Sequence, residues 1–138
     1  MATEYPSINM MAVFTYVKKA ILASFPNARV LNTRESNSPS FPCVQMIVAN
    51  RIRTQENITL DWGDGQYQTT FLVEIYSNAK KNPAKECMDI ADVVTDAFSQ
   101  LHYRLSFFQQ IDNIDPSVCR FTARFEGRSL IGETISIN

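Results

Sequence analysis

The sequence offers few residues that could carry out catalysis. His102 is the only histidine, and the three cysteines, Cys43, Cys87 and Cys119, lie far apart in the chain. A Cys–His nucleophile would need His102 beside one of these thiols, and none of them lies in a recognisable catalytic loop. The same residues lack the spacing of metal ligands. We therefore expect no enzyme, no metal and no cofactor, with reduced and packed thiols. An enzyme using Cys119 or Cys87 with His102 is the alternative from another class.

Three carboxylates, those of Asp89, Asp92 and Asp96, recur at helical spacing on one face of a predicted helix. Such a charge run usually marks a solvated face. A catalytic carboxylate cluster is a second interpretation. A third applies if several copies form a ring, because an acidic face lining a channel would repel a phosphate backbone and let DNA slide through.

Four residues are candidates for a subunit interface. Arg120 and Arg124 share one face of a predicted strand, where a guanidinium group pairs well with carboxylates. Trp62 and Asp64 lie in the segment Asp61-Trp62-Gly63-Asp64-Gly65, in which Asp64-Gly65 is a favoured two-residue hairpin turn. Aromatic residues at such positions commonly anchor interfaces.

Composition bounds the class of protein. The chain has 138 residues, 45% of them apolar, with 13 basic and 14 acidic side chains and a formal net charge of −1. These values indicate one globular domain over residues 1–138 and exclude a disordered chain or a strongly basic nucleic-acid binder. The first residues lack the basic region of a signal peptide, and no apolar stretch approaches the roughly 20 residues of a membrane span. We expect a soluble protein with no membrane partner.

The first half of the chain predicts a helix followed by three strands. Apolar residues at helical spacing predict the helix over residues 7–25, capped by Ser7, with Met11 on its apolar stripe. Residues 29–31 could form a short strand. Residues 43–53 predict a strand with Val44, Met46, Val48 and Ile52 on one face. The hairpin turn then leads into a strand over residues 67–77.

The second half predicts a helix and two further strands. Asn82 can cap the helix and Pro83 suits its first position, and the stripe runs through Ala84, Cys87, Ala91, Val94, Phe98 and Leu101. Residues 103–111 predict a strand with Leu105, Phe107 and Ile111 on one side. Residues 118–126 predict a strand ending at Gly127, with one buried and one wet face. Residues 129–138 could form a last strand, or an arm that pairs with another subunit.

The element order α-β-β-β-α-β-β predicts an α+β fold. Each helix carries an apolar stripe that needs a covering surface, and the sheet has one obvious inner face. We therefore expect a mixed or mainly antiparallel sheet with both helices packed on one face.

Several of these segments together resemble a known family. The segments are Phe71-Leu72-Val73-Glu74-Ile75-Tyr76-Ser77-Asn78, the capped helix that follows, and Cys119-Arg120-Phe121-Thr122-Ala123-Arg124-Phe125-Glu126-Gly127. The chain resembles, over residues 10–127, the tail terminator or tail completion proteins of long-tailed, siphovirus-type bacteriophages, and is similar to lambda-type terminators. The most specific parts are residues 74–78 and 120–125.

The resemblance implies a structural virion protein of the tail or neck, assembled in the cytoplasm of the bacterial host. Such proteins form a homohexameric ring that caps the tail tube, stops its polymerisation and joins the tail to the head. Its partners would be further copies of the chain, the tail tube protein and the head or neck connector protein, with DNA passing through the ring without specific binding. A head-to-tail connector or adaptor is the nearest alternative, and a non-viral ligand-binding domain is another.

Overall fold

A computed structural model describes residues 10–33, 40–54, 66–113 and 115–130 of the chain. It contains two helices and five strands. In chain order they are α1 (Met10–Ser24), β1 (Arg29–Leu31), β2 (Cys43–Thr54), β3 (Gln66–Ser77), α2 (Pro83–Gln100), β4 (Tyr103–Ile111) and β5 (Cys119–Leu130). This order confirms the predicted sequence of elements.

The five strands form one mixed sheet in the order β1-β2-β3-β5-β4. β1 and β2 are parallel, and the other neighbouring pairs are antiparallel. The long central strands β3 and β5 pair over their whole length, from Gln66 with Leu130 to Ser77 with Cys119. Both helices pack on the same side of the sheet, which we call the helix face. The α+β fold with two helices on one face is therefore as predicted.

The hydrophobic core lies between the helices and the helix face. Phe98 of α2 is fully buried and lies at its centre. Its ring centroid is 4.4 Å from that of Phe125, in a stacked arrangement, and 5.4 Å from those of Phe71 and Tyr103. Aromatic pairs at these separations stabilise a core beyond the area they bury.

α2 follows its sequence signals closely. Asn82 accepts a hydrogen bond at Oδ1 from the backbone N–H of Lys85 at 3.1 Å, and Pro83 begins the helix. The buried stripe of α2 is wider than the predicted apolar stripe, because Ile90 and Ala97 are buried as well. α2 contacts α1 as well as the sheet, so a wider stripe of the helix is buried.

α1 is rotated relative to its predicted stripe. Val13, Phe14, Val17 and Ile21 are buried, whereas Met11 is 54% exposed, so its placement on the apolar stripe was wrong. Val17 and Ile21 stand one turn apart, are fully buried and centre the buried stripe. The predicted cap Ser7 lies outside the described residues.

A bulge in β2 changes which residues share a face. The register with β3 shifts between Val48 and Asn50. As a result Val48 pairs with Phe71 on the helix face, whereas Ile52 pairs with Gln68 on the opposite face. The prediction that Val48 and Ile52 share a face was wrong, because the extra residue reverses the alternation.

A second bulge, in β4, also changes which residues share a face of the sheet. The register with β5 shifts between Leu105 and Phe107. Leu105 therefore pairs with Phe125 on the helix face, while Phe107 pairs with Arg124 and Ile111 with Arg120 on the opposite face. The prediction that Leu105, Phe107 and Ile111 lie on one side was wrong for the same physical reason.

β5 continues beyond its predicted end at Gly127. The strand reaches Leu130, so the first two residues of the predicted segment 129–138 belong to it, and residues 131–138 lie outside the described residues. Gly127 is needed because the ring of Tyr103 lies against its backbone. A Cβ at this position would lie 2.7 Å from ring carbons of Tyr103, closer than side chains pack.

β2 and β3 are antiparallel neighbours, which is the arrangement that the predicted hairpin requires. Thr54 pairs with Gln66, and the joining segment 55–65 lies outside the described residues. The turn and the interface candidates Trp62 and Asp64 therefore remain predictions. Neither described helix is both long enough and apolar enough to cross a membrane.

We predict that Phe98→Ala destabilises the fold by about 3–5 kcal/mol, because it removes a ring that contacts three others and leaves a cavity. Denaturant unfolding followed by circular dichroism measures this change. Met88→Ala is the matched control in the same helix, since Met88 is 44% exposed. A loss below about 1 kcal/mol for Phe98→Ala would contradict the packing described here.

Candidate functional site

The face of the sheet opposite the helices carries a buried polar cluster. Glu74 of β3 pairs with Gln45 of β2 on one side and with Thr122 of β5 on the other. These three residues are only 3–8% exposed. Tyr76 and Arg120 pair directly beside them. We call Glu74, Tyr76 and Arg120 the polar cluster.

Hydrogen bonds and ring contact hold the polar cluster together. Nη2 of Arg120 lies 3.0 and 2.9 Å from the two carboxylate oxygens of Glu74. The hydroxyl of Tyr76 donates to Oε1 of Glu74 at 2.6 Å. The guanidinium carbon of Arg120 lies 5.6 Å from the centroid of the Tyr76 ring. The carboxylate therefore has two donors, and the cation has both a counter-charge and an aromatic face.

The cluster raises the pKa of two of its members. Burial, the hydrogen bond to Glu74 and the negative charge of that carboxylate together raise the pKa of Tyr76 to about 12. The hydrogen bond to Glu74 also raises the pKa of Arg120. Both residues stay protonated at any physiological pH. The cluster therefore links β3 and β5 throughout that range.

The two predicted arginines have different surroundings. Arg120 is 28% exposed at its side chain and already has its carboxylate partner within the same chain. Arg124 is exposed, and its guanidinium carbon lies 5.8 Å from the centroid of the Phe107 ring at the edge of the sheet. Of the two residues, Arg124 is the exposed one.

The sequence missed the exposed apolar residues of β4. Leu105, Phe107 and Phe108 are 39–42% exposed, and Phe108 stacks on Phe121 with ring centroids 5.1 Å apart. The sequence does place apolar residues on both sides of β4, which could have indicated exposed apolar surface. The same pattern is also typical of a strand that is buried on both faces. The structure shows that this strand is at the edge of the sheet.

The three aspartates lie on the outer side of α2, as predicted. Asp89 forms an ion pair with Lys85 at 2.7 Å, and Asp96 accepts a hydrogen bond from Gln100 at 3.4 Å. Asp92 and Asp96 are exposed. Within the described parts of the chain, no three acidic, histidine or cysteine side chains come together as a metal site would require.

The cysteines and the histidine lie at opposite ends of the sheet. The thiol of Cys87 is buried and lies 3.7 Å from the carbonyl oxygen of Cys119, and burial raises its pKa to about 12. His102 precedes β4, whose far end pairs with Arg120 beside Cys119. The length of β4 therefore separates His102 from these thiols by about 25 Å. The fold does not assemble the Cys–His pair that the alternative enzyme would use.

Comparisons with known proteins found similar solved structures but no related sequence. No family model and no curated protein matches the chain. A solved chain described as "Virion of native gene transfer agent (GTA) particle" is 13% identical, with 86% of this chain and 94% of that chain covered and a TM-score of 0.48. A chain of the "PVC sheath/tube terminator in extended state" of an extracellular contractile injection system is 7% identical, with a TM-score of 0.48. That match covers the whole of this chain and 62% of the other chain's length.

We predict that Arg120→Ala destabilises the protein by about 3 kcal/mol, because it leaves the nearly buried carboxylate of Glu74 without its counter-charge. Equilibrium unfolding in urea measures the loss. Arg124→Ala, on the same strand and face, is the control and should cost less than about 1 kcal/mol. Equal effects for the two variants would contradict the assignment of Arg120 to a buried pair.

The raised pKa of Tyr76 gives a prediction about pH. A group whose folded-state pKa exceeds its unfolded value stabilises the fold below the unfolded pKa and loses that contribution as pH rises through the folded pKa. Tyr76 should therefore contribute fully below about pH 10 and lose its contribution by about pH 12. Unfolding free energies of the native protein and Tyr76→Phe, measured across this interval, should converge as pH rises. A constant difference would show that Tyr76 does not titrate as described.

Proposed function

We propose that this chain is a tail terminator subunit, which forms a ring at the head-side end of a phage tail tube. The observation that carries the proposal is the position of the two most specific segments of the resemblance. Residues 74–78 and 120–125 lie on the neighbouring central strands β3 and β5, and Tyr76 stands directly opposite Arg120. Segments 46 residues apart at Glu74 and Arg120 thus form one hydrogen-bonded cluster.

The distribution of exposed apolar side chains supports an assembly role. Seven large apolar residues of the described chain are 39–54% exposed: Met11, Val48, Ile52, Met88, Leu105, Phe107 and Phe108. Apolar surface of this kind commonly marks association between proteins. In our proposal it meets further copies of the chain, the tail tube protein and the head or neck connector protein.

The acidic side of α2 supports the passage of DNA without specific binding. Asp96 is exposed, and Asp89 pairs with Lys85 within the helix. In a ring, carboxylates near the channel would repel the phosphate backbone, so that DNA would not adhere to the subunits. The proposed place of action is the tail or neck of the virion, after assembly in the host cytoplasm, with no catalytic step.

We predict that the purified protein forms a ring, with six copies expected from the resemblance, and that it shortens tubes when added to polymerising tail tube protein. Native mass spectrometry and electron microscopy measure the first property, and tube length measures the second. Ring closure requires head-to-tail contacts between unlike patches of neighbouring subunits.

Two outcomes would change this conclusion. A strictly monomeric protein with no effect on tube length would contradict the terminator function. Binding to the connector protein together with failure to bind the tail tube protein would favour the head-to-tail adaptor instead. Albumin at equal concentration is the control for non-specific effects on tube length.

A further inference from the structure

The exposed apolar residues are confined to two opposite margins of the subunit. Leu105, Phe107 and Phe108 belong to β4, the last strand of the sheet on one side. Val48 and Ile52 belong to β2, near the other side. The central strands β3 and β5 show no such residue among their described side chains. The apolar surface therefore follows the lateral edges of the sheet.

The β4 margin has the features of an unprotected edge. Within the described chain, β4 pairs with β5 alone, so its other edge has nine residues of backbone without a neighbouring strand. Monomeric proteins usually protect such an edge with charge, proline or a short length. β4 carries one charged residue, Arg104, near its start, and along the rest of the strand it exposes Leu105, Phe107 and Phe108, as an edge that receives another strand would.

The β2 margin offers an edge of equal length. β1 pairs with residues 43–45 of β2 only. No strand of the described chain covers the outer edge of β2 along residues 46–54, which is also nine residues long. Val48 and Ile52 lie along this stretch, 40% and 51% exposed.

One flank of α2 adds acidic charge to the β4 margin. Ala84 lines a shallow depression with Gln110, and Ser99 lines another with Arg104, so this flank of the helix faces β4. Met88 and Asp92 continue the same flank at helical spacing, one and two turns after Ala84. Met88 is 44% exposed and Asp92 is exposed.

One flank of α1 adds basic charge to the β2 margin. Met11 accepts a hydrogen bond at Sδ from Asn32 just after β1, at 3.7 Å, so this flank faces the β1 and β2 side. Lys18 lies two turns further along the same flank, and α1 contains no acidic residue. The helix flanks of the two margins are thus opposite in charge.

The strand directions also suit a head-to-tail contact. β2, β3, β5 and β4 are successive antiparallel neighbours, so β4 runs opposite to β2 within one subunit. Rotation about a ring axis preserves strand direction along that axis. A β4 strand brought beside the β2 strand of the next copy would therefore meet it in antiparallel orientation, the commoner pairing in sheets.

We infer that neighbouring copies join by pairing the β4 margin of one (β4 with Met88 and Asp92) with the β2 margin of the next (residues 46–54 with Met11 and Lys18). This inference rests on the proposed ring and names its contact surface. The five apolar side chains of the two strands are 39–51% exposed and present roughly 400 Å² of apolar surface. A standard interface of about 1,600 Å² would be completed by backbone pairing and the helix flanks.

Cross-linking between copies tests the contact. Copies carrying Ser106→Cys in β4 are mixed with copies carrying Asn50→Cys in β2, and the assembled mixture is treated with a short bismaleimide. Both positions are exposed and near the middle of their margins. We expect cross-linked dimers in the mixture and none in either singly substituted protein by itself. A chain that carries both substitutions should give a ladder of higher oligomers. Unsubstituted protein controls for reaction at Cys43, Cys87 and Cys119.

The result separates the contact from the ring itself. Rings visible by electron microscopy but without cross-links in the mixture would overturn the edge pairing and leave the terminator function in place. A monomeric unsubstituted protein would overturn both. Cross-links that form in the assembled mixture, and that do not form when the subunits are diluted until they separate before the bismaleimide is added, support the proposal.

Two aspartates of α2 provide a matched charge test. Asp92→Lys places a cation on the flank that is proposed to meet Lys18, and we expect it to weaken subunit association by about tenfold in analytical ultracentrifugation. Asp96→Lys makes the same change on the side of Gln100, whose side chain accepts a hydrogen bond from Tyr16 of α1. This variant should associate normally. Equal weakening by both variants, or by neither, would contradict the placement of the contact.

Discussion

The pairing of β3 with β5 is the interaction on which the rest of the structure depends. Twelve residue pairs run without a bulge from Gln66 and Leu130 to Ser77 and Cys119. One face of this ladder supplies Phe71 and Phe125 to the core under α2, and the other supplies the polar cluster. A slip of one residue would exchange the two faces, burying charge under the helix and exposing the aromatic core. The buried ion pair therefore specifies register as well as adding stability.

The bulges appear only in the strands outside this central pair. β2 and β4 each contain an extra residue that reverses the alternation, and each reversal places apolar side chains on both faces of a strand near an edge. Such a strand has no single buried side, so part of its apolar surface stays exposed in one subunit. The regular centre holds the subunit together, while the irregular margins provide the surfaces that we assign to neighbouring copies.

Local signals predicted the parts of the fold whose causes are local. Asn82 and Pro83 begin α2 because a cap and a fixed φ angle act within one turn, and the alternation in β5 gave its faces correctly. The faces of β2 and β4 were predicted wrongly only across the bulges, at Ile52 and Leu105, since a bulge leaves no mark in a run of apolar residues. The sequence predicted only part of the polar cluster. Arg120 was a candidate residue, but its partner Glu74 lies 46 positions away in the chain and was not identified.

The sequence by itself determined the fold class of this protein: the two helices, the strands in their order, and an apolar face on each helix and each central strand. These follow from periodicity, capping and turn chemistry, which operate between residues a few positions apart. Only the tertiary structure decided which strands became edges, which side chains stayed exposed along them, and that Arg120 binds a carboxylate of its own chain. Those outcomes depend on contacts between residues distant in sequence, because burial and ion pairing are settled by the neighbours that folding brings together.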